Sequence, residues 1–303
     1  MTFDALALGA TLYVPATRDD LLAVVTGSKI EHLKSVVVCL EDSVLQENVE
    51  SAMANLARML VTLHGIRHDG QNPRPILLVR PRTPEILTRV AGMAGSQVID
   101  GYVLPKVTAS NLPDWMTPIS NRSQAVLPTI ETREAFEHDE MRTLRAQLLT
   151  MHERVPCIRI GGNDLLQLVG ARRSTSRTAY DGPLGTIIAS LVSTFAPWGF
   201  SMSAPVLESF QDHDLLRQEI ERDIEHGLMT KTAIHPSQIP VIHAAYAVSM
   251  EDLASARHVL ENNAAAVYSE NGVMAEPATH RRWAADVIRR AEVYGTRRMA
   301  VAA

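Results

Sequence analysis

The stretch 156–166, PCIRIGGNDLL, constrains the fold of this chain more than any other. Cys157, Ile158 and Ile160 make an apolar run that stops at Gly161-Gly162. Asn163-Asp164 follow, and helix-like apolar spacing resumes at Leu165, Leu166 and Val169. The pattern predicts a strand, a tight turn and a helix start, with one carboxylate at the strand's carboxyl end. In parallel α/β folds, ligands and catalytic groups gather at that end.

The unit recurs. Strands are predicted at 10–16, 35–40, 75–79, 101–104 and 125–130, then in the stretch just described, then at 199–206 and 230–234. Helical spacing separates them, most clearly at Val49, Met53, Leu56, Leu60 and Leu63, three and four residues apart. Connections of this length suit parallel crossovers. Eight such units within 303 residues fit a (β/α)8 TIM barrel better than an open doubly wound sheet. The first strand is followed by no glycine-rich dinucleotide fingerprint. Residues 1–240 are assigned to the barrel. Residues 241–303 exceed its needs; they read as helical over 250–260 and 277–294, with an Asn271-Gly272 turn signal between, and are expected to form a cap or intersubunit arm. His64 and His68, in or beside a polar loop, are expected to be solvated.

Composition narrows the function. A net charge of -5 argues against a nucleic-acid partner, which favours a basic face. No apolar run approaches the roughly 18 residues of a membrane span. The N-terminal residues lack the basic region of a signal peptide. Cys39 and Cys157 both lie in strand-like runs and are expected as buried free thiols in a reducing cytoplasm.

The predicted strand ends bring Glu41, Asp42, Arg80, Lys106, Glu131, Asp164 and His235 to one face. Glu131 and Asp164, on adjacent strands, suit a hard cation such as Mg²⁺, which takes one or two carboxylates and keeps waters that substrate oxygens replace. Arg80 suits a substrate carboxylate, through paired hydrogen bonds that lysine cannot reproduce. A 2-oxo acid or enolate held this way has its developing charge stabilised, which opens C–C cleavage or condensation. Lys106 is also a Schiff-base candidate. Plainer roles stand beside these. Strand-end acids cap helices, Glu41-Asp42 can form a structural network with Lys106, and His235 can be a packed residue. In 171–177, ARRSTSR, Arg172, Arg173 and Arg177 with interleaved hydroxyls suit a phosphate or form a solvated loop.

Together LYVPATRDD, VVVCLEDSV, LLVRPR, DGYVLPKV, LPTIET, IRIGGNDL and KTAIHPSQI, in that order over 11–239, resemble the citrate lyase β-subunit-like group of the HpcH/HpaI aldolase family. The resemblance implies a (β/α)8 barrel with a helical C-terminal extension that reaches an adjacent subunit, in a homo-oligomer that is a trimer or a multiple of one. It implies a C–C bond lyase or synthase dependent on Mg²⁺ (or Mn²⁺), acting on a small anion, often a coenzyme A thioester. Carried across by position, Arg80 is the substrate arginine, Glu131 and Asp164 hold the metal, and Glu41-Asp42 is the acidic pair. Arg18, Gly161, Gly162 and His235 join the expected substrate-binding set, the two glycines by letting the backbone approach the bound acid.

Three departures stand out. The family's usual GxEDL is GGNDL here, with neutral Asn163 beside Asp164. The aspartate before a proline in the extension aligns with Ala275, and Glu276 is one residue on. The arginine-rich run after Asp164 resembles a divergent branch, which implies a phosphorylated or sugar-derived substrate. A barrel that binds a ligand without catalysis is the reading from a different class.

Overall fold

The computed structural model describes residues 3–66, 74–270 and 272–297. His68 and Asn271 lie outside the described residues; His64 is exposed. The described chain forms two compact units, 1–241 and 242–303.

In the first unit the elements alternate in chain order: β1 (Ala10–Pro15), α1 (Leu21–Val25), β2 (Ser35–Cys39), α2 (Val49–Gly65), β3 (Ile76–Arg80), α3 (Pro84–Ala91), β4 (Gly101–Leu104), α4 (Leu112–Met116), β5 (Ala125–Ile130), α5 (His138–Leu149), β6 (Ile158–Ile160), α6 (Gly162–Leu168), α7 (Pro183–Phe195), β7 (Met202–Ser203), α8 (His213–Glu225) and β8 (Lys231–Ala233). α9 (Gln238–Tyr246) follows. The strands lie side by side in the order β7-β6-β5-β4-β3-β2-β1-β8, every pairing parallel. A parallel bridge between Ala204 and Lys231 joins the two ends of that order and closes the ring. The fold is the TIM barrel expected from the eightfold recurrence.

Local sequence explains the elements. α2 buries Val49, Ala52, Met53, Leu56, Met59, Leu60 and Leu63 along one stripe. α3 begins with Pro84 in its first turn and with the Thr83 hydroxyl accepting the Ile86 amide. Tyr13, Val37, Leu78, Val103 and Leu127, from five consecutive strands, share one interior cluster. β7 is shorter than the predicted 199–206. Gly199, at φ 89°, still caps a 3₁₀ turn over Ala196–Trp198, so the strand cannot begin there. Pro205 has no amide to donate beyond it.

The second unit contains β9 (Val248–Ser249), α10 (Met250–Val259), the antiparallel pair β10 (Tyr268–Glu270) and β11 (Val273–Ala275), α11 (Pro277–Tyr294) and β12 (Thr296–Arg297). Val248, Leu253, Ala256, Val259, Ala284 and Val287 form its own core.

Candidate active site

Strand alternation aims the site. Side chains two apart on a strand share a face. Val37 and Leu78 line the barrel interior. Cys39 and Glu41 continue Val37's face, Arg80 continues that of Leu78, and Thr129 and Glu131 continue that of Leu127. The inward-facing positions at the carboxyl ends are therefore charged, and they are buried: Glu41 is 5% exposed, Arg80 8% and Glu131 3%.

These groups meet. Arg80 Nη2 lies 2.7 Å from Glu41 Oε2, 3.1 Å from Glu131 Oε1 and 3.2 Å from Asp42 Oδ2. Lys106 Nζ lies 2.5 Å from Glu41 Oε1, 3.7 Å from Asp42 Oδ1 and 3.8 Å from Asp164 Oδ1. The Lys106 amide donates to Glu131 Oε1 at 2.9 Å. Lys106 adopts φ 52°, rare for a residue with a side chain. Its amide bond to Glu131 and the bond from Asn111 Nδ2 to its carbonyl hold it there.

Four carboxylates (Glu41, Asp42, Glu131, Asp164) therefore face two cations (Arg80, Lys106). Burial raises the Glu131 carboxyl. Arg80 opposes that and Asp164 adds to it, and the net result is about 7. Burial also acts to raise Glu41, but the hydrogen bond with Asp42 and the charges of Arg80 and Lys106 outweigh it and hold Glu41 down to about 2. Asp42 is pushed up to about 6, by desolvation and then by Glu41.

The donor set suits one kind of ion. Among the described residues no three His, Cys, Asp or Glu side chains form a ready-made cage. A pair of carboxylates, Glu131 beside Asp164, in a cluster with surplus negative charge matches a hard cation that keeps most of its waters. A cavity of about 560 Å³ borders the cluster at Lys106, with Arg82, Thr83, Asn111 and Trp115 in its wall. Arg82 donates to the carbonyls of Leu40, Glu41 and Val44, so it fixes the loop that carries the acidic pair.

The other expected residues are placed differently. Gly161 makes room for Glu131: a Cβ there would stand 2.2 Å from Glu131 Oε2. Gly162 does the same for Pro205, at 2.8 Å. Arg18 forms a two-bond pair with Asp20 at 2.7 Å. His235 stacks on Phe210 at 4.7 Å and shares a hydrogen bond with Ser237. Arg172 and Arg177 are exposed, whereas Arg173 turns inward onto Glu219 at 2.5 Å and leaves the solvated face. Glu219, fully buried, accepts from that guanidinium and from the Ala179 amide.

Sequence reasoning missed Glu208, which accepts a hydrogen bond from Asn163 Nδ2 at 3.0 Å. A carboxylate from the β7–α8 loop thus stands beside the neutral Asn163. No local pattern marks it, because the contact spans 45 residues. Arg159 was missed as well. It is 2% exposed inside the barrel, over the Tyr13 ring and bonded to Thr232. An arginine on the inward face of a strand was the available signal.

Comparison with known proteins agrees with this architecture. A family model described as C-C bond lyase of the TIM-barrel fold matches residues 2–296. A (3S)-malyl-CoA thioesterase of Cereibacter sphaeroides (strain ATCC 17029 / ATH 2.4.9) is 23% identical over 257 residues, 84% of this chain and 82% of its own length. The structure of CitE from Mycobacterium tuberculosis in complex with magnesium, acetoacetate and coenzyme A superposes with TM-score 0.69 at 24% identity, over 95% of this chain and 99% of that one. RipC from Yersinia pestis gives TM-score 0.59 at 21% identity, over 80% of this chain and 96% of its own. The chain belongs to the C–C bond lyase family of the TIM-barrel fold.

Proposed function

We propose that this protein is a Mg²⁺-dependent lyase that breaks the C2–C3 bond of a 3-hydroxy acid or its coenzyme A thioester, giving an oxo product and an enolate. The observation that carries the reading is the charge imbalance at the barrel mouth, four carboxylates against two cations, in a member of a C–C lyase family. Glu131 and Asp164 are the residues that would hold the ion. When bound, the ion supplies positive charge to the oxygens of an acidic substrate.

The chain's own residues supply the rest. Arg80, buried and permanently charged, orients the substrate carboxylate. Lys106 and Arg80 keep Glu41 ionised and in place. Asp42, 60% exposed at the side chain and pushed up to about 6, takes the hydroxyl proton as the C–C bond breaks and returns it to the enolate carbon. Electrons from the breaking bond pass to the carbonyl oxygen and return as the carbon is protonated, so atoms and charge balance. The 560 Å³ cavity beside Lys106 gives the distal part of the substrate its place. The magnesium and coenzyme A bound to M. tuberculosis CitE, and the malyl thioester named for the Cereibacter relative, support this class.

Calorimetric titration tests the metal assignment. Wild-type protein is expected to bind Mg²⁺. The Glu131→Gln/Asp164→Asn variant should lose roughly tenfold or more, about 1.4 kcal/mol per factor of ten. The ion must displace the proton that Glu131 retains up to about 7, so affinity should rise between pH 6 and pH 8. Equal affinity in the two proteins would sink the assignment.

A further inference from the structure

We propose that the loop between α6 and α7 forms a second binding site, a pocket for a phosphate group, outside the barrel mouth. Arg172, Arg173, Ser174, Arg177, Gly182 and Leu184 line a cavity of about 130 Å³. At roughly 30 Å³ per water it has room for about four waters, hence for one tetrahedral oxyanion and not for a nucleoside.

The charge in the lining is unbalanced. Arg172 and Arg177 are exposed and form no ion pair among the described residues. Arg173 is only 9% exposed, and one nitrogen, Nη2, meets Glu219; its Nε and Nη1 have no partner. Buried guanidinium nitrogens are seldom left unpaired. Glu219 reaches only that one nitrogen, and it also holds Lys231 at 3.0 Å and the Ala179 amide at 2.7 Å. Asp181 is the one carboxylate in the lining, held by the Thr178 amide at 2.9 Å and hydroxyl at 2.6 Å, and it offsets a single one of the three arginine charges. The 13-residue helix α7 begins at the same pocket, with Gly182 at its N-cap and no side chain capping it. Its positive end adds to the three arginines.

The pocket is separate from the cluster at the strand ends. Thr232 points into the barrel, where its hydroxyl meets Arg159, so its neighbour Lys231 points outward. Lys231 meets Glu219 of α8, and Glu219 meets Arg173. Arg173 and its pocket therefore belong to the outer helical layer. Its lining contains none of Glu41, Asp42, Arg80, Lys106, Glu131 or Asp164.

The probes are inorganic phosphate and glycerol 3-phosphate, titrated calorimetrically into the full chain at low ionic strength. Saturable binding is expected, weakened roughly tenfold or more by Arg172→Ala/Arg177→Ala and unchanged by Arg80→Gln. Both arginines are exposed, so the first variant should keep its fold, checked by circular dichroism. Should it not, Arg172→Gln alone is expected to show a smaller loss. Tighter binding of glycerol 3-phosphate assigns the site to phosphomonoesters; equal binding assigns it to free phosphate. No saturation at millimolar probe, or affinity retained in the arginine variants, overturns the proposal. So does binding lost in an Arg80→Gln variant alone, which would put the anion at the barrel mouth.

Discussion

Gly161 is a glycine because Glu131 occupies the space a side chain would take. A Cβ would stand 2.2 Å from Glu131 Oε2 and 2.4 Å from its Cβ. Glu131 is 3% exposed, so the clash is met inside the packed barrel. Gly161→Ala should therefore swing the carboxylate out of the cluster. Calorimetry should show Mg²⁺ affinity lowered roughly tenfold or more, with about 1–3 kcal/mol of stability lost to overpacking. Wild-type affinity in that variant would show that Glu131 is not the ligand. The glycine pair was visible in the sequence, but its use was not. Period-two alternation brings Gly161 and Glu131 onto one face, and only the packed barrel shows how close they come.

At the scale of elements, β8 and α8 are joined by charge. Lys231 is fully buried, 3.0 Å from Glu219 Oε1 and 2.9 Å from Asp223 Oδ2. Tyr180 donates its hydroxyl to Asp223 Oδ1 at 2.6 Å. Burial, with Glu219 adding to it, raises Asp223 to about 6 despite the opposing pull of Lys231 and Tyr180. A buried pair of this kind adds little net stability over an apolar replacement, yet removing one partner leaves the other charge without compensation. Lys231→Met should cost about 3–5 kcal/mol by urea denaturation. A loss below about 1 kcal/mol would mean that the two acids neutralise by protonation. The strand TKTAI was legible as a strand, but its lysine gave no sign of facing outward. That direction depends on Thr232 meeting Arg159 across the barrel.

For the whole first unit the decisive contact is closure. Seven strand pairings are extended ladders, while β7 and β8 are joined through the single residue Ala204, whose amide donates to Thr230 O at 2.8 Å and whose carbonyl accepts from Thr232 N at 3.3 Å. Ala204→Pro removes that donor and leaves the Thr230 carbonyl short of a partner, at a cost of about 1–3 kcal/mol. Hydrogen exchange should then quicken first in β7 and β8. Uniform protection across all eight strands would show that the ring does not depend on this bridge. Among the described residues no helix is long and apolar enough to cross a membrane.

The sequence by itself determined the repeating unit. Apolar runs that alternate, then break at a charged residue before helical spacing resumes, record a local choice between strand and helix. Eight of them leave few topologies, and each carries its strand-end residue with it. The tertiary structure decided everything that depends on distance between units: that Arg80, Lys106 and the four acids share one cluster, that Glu208 stands beside Asn163, and that Arg173 is buried against Glu219 of α8 while Arg172 and Arg177 stay exposed. The physical reason is range. Periodicity is set by neighbours a few residues apart, whereas the charge balance of a site is set by side chains tens of residues apart that only closure of the barrel brings within hydrogen-bonding reach.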